Sequence, residues 1–83
     1  MKKSDYIYDY SLLKGKIISK YGNLGNFAEK VLKINRNSFS RILNNKTRFS
    51  QDMITLIVSD LGISTKEIPE YFFELKSQKV ASL

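Results

Sequence analysis

Between Asn35 and Asn45 the chain places Arg36, Asn37, Ser38, Ser40 and Arg41 on one short stretch, and its capacity for recognition chemistry is concentrated there. All five carry side-chain hydrogen-bonding groups of the kind that meet the edges of bases. The planar fork of arginine fits O6 and N7 of guanine and the amide of asparagine fits N6 and N7 of adenine, each good bidentate pair discriminating by ~1–3 kcal/mol. Other chemistries find little support. With no cysteine there is no disulfide framework, zinc knuckle or thiol nucleophile. With no histidine, the commonest general base and metal ligand is missing. Asp52, Asp60, Glu67, Glu70 and Glu74 are spaced as helix caps and solvated surface rather than as metal ligands. Gly22 and Gly25 bracket only Asn23 and Leu24, too little for a loop that cradles phosphate. No two residues form a credible nucleophile–base unit, so no enzyme, metal, cofactor or small-molecule ligand is expected.

The elements that must position these residues are helical. Tyr10, Leu13, Ile17 and Tyr21 recur at spacings of three and four and predict a first helix over 10–21, closed by Gly22. Asn23 is suited to cap a second helix with Leu24, Phe27, Ala28, Val31 and Leu32 on its apolar side. A polar turn over 33–37 contains Ile34. Asn35 then caps a third helix that runs to about Asn44 and has only Phe39, Ile42 and Leu43 to bury. So thin a stripe fixes one edge and leaves the rest facing outward. Asn45 is placed for a left-handed cap, and Lys46–Phe49 reads as a basic connection. Ser50 caps a fourth helix whose stripe of Met53, Ile54, Ile57, Val58 and Leu61 is the broadest in the chain, and it predicts the centre of the core. Ser64 to Glu67 fits a capping box before Pro69 and a fifth helix. Three successive aromatics, Tyr71, Phe72 and Phe73, cannot all face one core. The alternating tyrosines of Tyr6–Tyr10 read as an ordered arm. The expected organisation is an arm over 1–9, one domain over 10–75 and a frayed tail over 76–83.

Eighty-three residues make one small domain, which buries only a little over ~60% of its unfolded surface. The net charge is +6 and unevenly distributed. Residues 1–50 carry eleven basic side chains against three acidic, whereas residues 51–83 carry three against five. One face suited to a polyanion and another suited to something else would follow from such a division. No run approaches the ~18 apolar residues of a membrane helix, and Asp5 and Asp9 break any signal peptide, so a cytoplasmic protein is expected.

The segment Phe27-Ala28-Glu29-Lys30-Val31, then Ile34 through Ile42, then Asn45, resembles the lambda-repressor-like (Cro/repressor, XRE) helix-turn-helix family. Ser50 through Ile68, with the step Leu61-Gly62-Ile63-Ser64, is similar to that family's last two helices. Tyr8-Asp9-Tyr10-Ser11 and Ile68 through Phe73 resemble a subgroup of small phage Cro-like proteins. The likeness spans roughly residues 8–73. It implies an all-α, five-helix domain with a helix-turn-helix made by helices two and three. Two departures stand out: Leu24 occupies a position where the family has a phosphate-touching glutamine, and the turn at Leu32-Lys33 is one residue longer than usual.

Carried over by position, the resemblance makes Arg36, Asn37 and Arg41 the base-reading residues, with Ser38 and Ser40 second. Asn23, Asn44, Lys46, Thr47 and Arg48 fall at phosphate positions, and Lys14, Lys16 and Lys20 are weaker candidates. The implied function is a sequence-specific transcriptional regulator that reads double-stranded operator DNA through the major groove. It would act as a homodimer on a near-palindrome, with Tyr71, Phe72 and Phe73 as the dimer contact. The alternative is a protein-interaction module of the same fold, of antirepressor or antitoxin type, which Leu24 and the longer turn favour.

Overall fold

Helix boundaries in this protein are set by capping residues, and the computed structural model, which describes residues 7–76, shows each in use. The first helix, α1 (Ser11–Tyr21), ends where Gly22 takes a left-handed φ of 89° and its N–H reaches the Ile18 carbonyl at 2.9 Å. Asn23 opens α2 (Leu24–Phe27) by accepting the Asn26 N–H at 2.8 Å. Asn35 caps α3 (Arg36–Leu43) on the Asn37 N–H at 2.6 Å. Ser50 caps α4 (Gln51–Leu61) on the Met53 N–H at 3.1 Å, and Gly62 closes it with φ 69°. The predicted capping box is present: the Glu67 carboxylate accepts from the Ser64 N–H, and a short 3-10 turn (Thr65–Glu67) leads into α5 (Ile68–Phe72). The described residues thus form five helices and no sheet. None of these helices is long and apolar enough to cross a membrane.

The extra residue before α3 is absorbed inside a helix. After Phe27 the backbone widens into a π-helical turn (Ala28–Leu32), a geometry that takes in one more residue than an α-turn. Lys33 then adopts the left-handed conformation at φ 57°, and the N–H groups of Lys33 and Ile34 both reach the Ala28 carbonyl. This is a glycine-type helix end made without glycine and one residue wider than usual. It delivers Ile34 to the core edge and Asn35 to its capping position.

The core mixes aromatic and aliphatic side chains, and α4 buries less of its stripe than expected. Of the α4 stripe only Ile57 and Leu61 are fully buried; Met53, Ile54 and Val58 are half-buried, and Leu56 beside them lies in solvent. Phe49, read from sequence as part of a basic connection, is half-buried and packs against this core. Its ring meets Tyr10 and Phe72 at 5.4 Å each and Phe39 at 6.4 Å, all edge-on, and Phe39 in turn packs on Phe27 at 5.8 Å. Among the described residues no polar or charged side chain is buried.

The chain termini of the domain pair with each other. Tyr8 and Leu75 form an antiparallel bridge, flanked by Asp9 N–H to Glu74 O at 2.7 Å and Lys76 N–H to Ile7 O at 2.9 Å. The remainder of the predicted arm, residues 1–6 with Tyr6, and residues 77–83 of the predicted tail lie outside the described residues. Because Phe49 meets three rings while half-buried, Phe49→Ala is expected to cost about 2 kcal/mol, below the usual range for a fully buried ring. Urea unfolding measures this, and a loss under about 0.5 kcal/mol would show that Phe49 does not link those rings.

Candidate functional site

α3 is fixed by few residues and exposes the rest. Phe39, Ile42 and Leu43 point inward, and Ile34 packs at the core edge. Arg36, Asn37, Ser38, Ser40 and Arg41 are all exposed, so the five residues singled out from sequence share one helix with their side chains accessible. Between α3 and the start of α2 lies a groove of about 420 Å³, walled by Lys14, Asn23, Arg36, Asn37, Ser40 and Asn44. Leu24, which stands where the resembling family has glutamine, forms part of its wall and also packs on the core.

Arg36 does not project freely. Its Nε stands 3.7 Å from Glu29 Oε2, an exposed pair worth at most about 1 kcal/mol. Its guanidinium lies across Gly25, where a Cβ would come within 2.8 Å of Cζ. Gly25 therefore gives Arg36 a place to rest along α2, a role that its position beside Gly22 did not suggest.

The positions after α3 divide. Lys46 and Thr47 are exposed, and Asn44 caps the helix with its amide 3.4 Å from Ser40 Oγ. Arg48 is turned toward the N-terminal segment: its Nη1 donates to Asn45 Oδ1 at 3.1 Å, and its guanidinium sits 5.1 Å over the Tyr8 ring. Asn23 uses its oxygen as the α2 cap. On α1, Lys20 is bound to the Asp60 carbonyl at 2.7 Å and carboxylate at 3.5 Å. Beside it the Tyr21 hydroxyl donates to the same carboxylate, which raises the tyrosine pKa. Of the three C-terminal aromatics, Tyr71 and Phe72 are buried within the chain and Phe73 is half exposed, so Phe73 alone has surface to offer a partner.

The residue that sequence reasoning undervalued is Asn45. Its left-handed backbone, φ 65°, was legible, but its side chain acts like a length of strand. Oδ1 accepts the Tyr8 N–H at 2.8 Å and Nδ2 donates to the Tyr8 carbonyl at 3.0 Å, which ties the end of α3 to the paired termini.

Comparisons with known proteins follow the same outline. The family model described as "Protein of unknown function (DUF739)" matches residues 6–75. The solution structure of the modulator of repression (MOR) of the temperate bacteriophage TP901-1 from Lactococcus lactis aligns with a TM-score of 0.68 and 39% identity. The alignment covers 80% of this chain and 88% of that one. The comparison with curated proteins returns no match.

Asn45→Gly keeps the left-handed turn while removing the clamp. It is expected to speed exchange of the Tyr8 amide about fivefold, the equivalent of one hydrogen bond of roughly 1 kcal/mol, with the α3 amides unchanged. Unaltered Tyr8 exchange would show that the bridge to Leu75 holds this segment without Asn45.

Proposed function

The chain belongs to the DUF739 family, and from that premise we propose that it is a phage regulator that modulates repression by binding a regulatory protein. The observation that carries this reading is the 39% identity to a phage modulator of repression over most of both chains. The geometry is compatible with it. α2, its widened end and α3 form two short helical segments joined by a tight turn, with an α3 surface rich in hydrogen-bond donors and acceptors. The departures agree as well: Leu24 offers apolar surface in the groove where a phosphate-binding glutamine would sit, and Arg48 is engaged with the N-terminal segment.

A second reading, direct operator recognition by α3, is favoured by one specific observation. Asn37, Ser40 and Arg41 are exposed on the same helix, in reach of a groove that also holds Lys14 and Arg36. In that reading two copies would pair on a near-palindrome, with Phe73 as the accessible aromatic at the contact.

The two readings separate in one experiment. Tagged protein is mixed with the repressor encoded in the same genome, and separately with random duplex DNA over a salt series. The expected result is a stable complex with the repressor on gel filtration and no salt-dependent retention on DNA alone. Retention on DNA without the repressor would favour the second reading, provided it falls steeply with salt and one sequence is selected from a random pool. Arg41→Ala should then weaken that one sequence far more than random DNA.

A further inference from the structure

On the flank of α1 turned away from Lys14, two adjoining hollows of about 540 and 360 Å³ share Ser11 and Leu12 in their walls. The larger is edged by Asp9, Glu70 and Glu74. The smaller continues past Gly15 to Lys16 and Ser19, with Tyr71 of α5 opposite. Together they form a trough between α1 and α5, distinct from the α3 groove.

Three features of this trough are unexplained by the fold. Leu12, in its middle, is 51% exposed, a large apolar side chain left in water. Gly15 occupies the interior of α1, where glycine costs about 1 kcal/mol relative to alanine. A Cβ there would meet nothing within 4 Å, so nothing among the described residues requires the position to be bare. The third feature is charge. The ion pairs among the described residues are Lys20–Asp60 and Arg36–Glu29, so none of Asp9, Glu70 and Glu74 takes part in one. Asp9 is held at the edge by the Ser11 hydroxyl at 2.6 Å and the Ser11 N–H at 3.0 Å. Those hydrogen bonds first, and the nearby Lys76 and Lys14 second, keep its carboxyl below the ordinary range and so charged.

An acidic edge repels nucleic acid and anionic lipid, and a bare helix position admits a close-approaching backbone or side chain. The complement is a basic segment with an apolar centre. We propose that the α1–α5 trough docks a basic amphipathic helix of a partner protein, with an apolar side chain over Leu12 and Gly15 and basic side chains on Asp9, Glu70 and Glu74. The inference rests on the reading of this chain as a protein-binding regulator and names the chemistry of the surface the partner presents.

The test titrates isotope-labelled protein with a short synthetic helical peptide bearing a leucine flanked by arginines at i±3 and i±4. The same peptide with glutamates in place of the arginines is the control. Amide shifts are expected at Ser11, Leu12, Gly15, Glu70 and Glu74, suppressed at about 0.5 M salt and absent with the control. Gly15→Gln fills the floor and should weaken binding at least tenfold while the melting temperature holds or rises, a combination that a purely structural glycine would not produce. Joint Glu70→Gln and Glu74→Gln should weaken it about tenfold without unfolding. Equal binding by these variants, equal binding of the acidic peptide, or shifts gathered on α3 would overturn the proposal. With the whole repressor, capture by the parent and loss by Gly15→Gln supports the trough. Capture by both removes the trough and leaves the protein-binding reading intact. If the parent captures no repressor, that reading fails, and the peptide titration still decides the surface.

Discussion

The ring of Phe49, half-buried and edge-on to Tyr10, Phe39 and Phe72, links segments that lie far apart in sequence. Those three rings belong to the start of α1, to α3 and to α5, and Phe27 of α2 joins through Phe39. A domain this size has few interior positions, and each aromatic buries ~150–250 Å², so a handful of rings spans distances that aliphatic side chains would need further elements to cover. Edge-to-face geometry adds orientation to that burial. The consequence is felt at α3. One fully buried ring and two buried aliphatic side chains hold the helix in place, which leaves Arg36, Asn37, Ser38, Ser40 and Arg41 exposed.

How much of this was legible in the sequence depended on how local each cause is. Caps were legible because a cap is decided within about four residues: Asn23, Asn35, Ser50 and the Ser64–Glu67 pair all do what their types and spacing imply. The inward stripes of α1 and α3 were legible for the same reason. Phe49 was not, since its neighbours Lys46 and Arg48 mark a solvated connection and the rings that bury it come from distant segments. The surplus residue before α3 was visible as a count, but a 3.6-residue period carries no sign of a wider π-turn, nor of Lys33 taking a glycine-like conformation. At the candidate site the exposure of Arg36, Asn37 and Arg41 was legible from the thinness of the α3 stripe. The direction of the Arg36 guanidinium was not, because it depends on the missing side chain at Gly25, on another helix.

Asn45 shows a further limit of local reasoning. Asparagine after a helix is correctly read as tolerant of φ > 0, and the backbone obeys. The same residue also has both amide groups directed at the backbone of Tyr8, across 37 positions of sequence. Arg48 reinforces the contact from the other side, through Asn45 Oδ1 and the Tyr8 ring. The exposed end of α3 is therefore joined to the paired termini, and Arg48, which resemblance assigns to phosphate binding, also takes part in that linkage.

Geometry on α1 explains how so small a domain keeps two surfaces apart. Leu13 and Ile17 face the core with no exposure, and successive residues rotate by about 100° around a helix axis. Lys14 and Leu12 therefore emerge on opposite flanks, about 200° apart. Lys14 borders the basic and amide-rich groove beside α3, and Leu12 borders the acid-edged trough beside α5. One helix thus divides a groove bordered by Lys14 and Arg36 from a trough edged by Asp9, Glu70 and Glu74. Because both flanks belong to the same helix, the two surfaces keep a fixed orientation to each other.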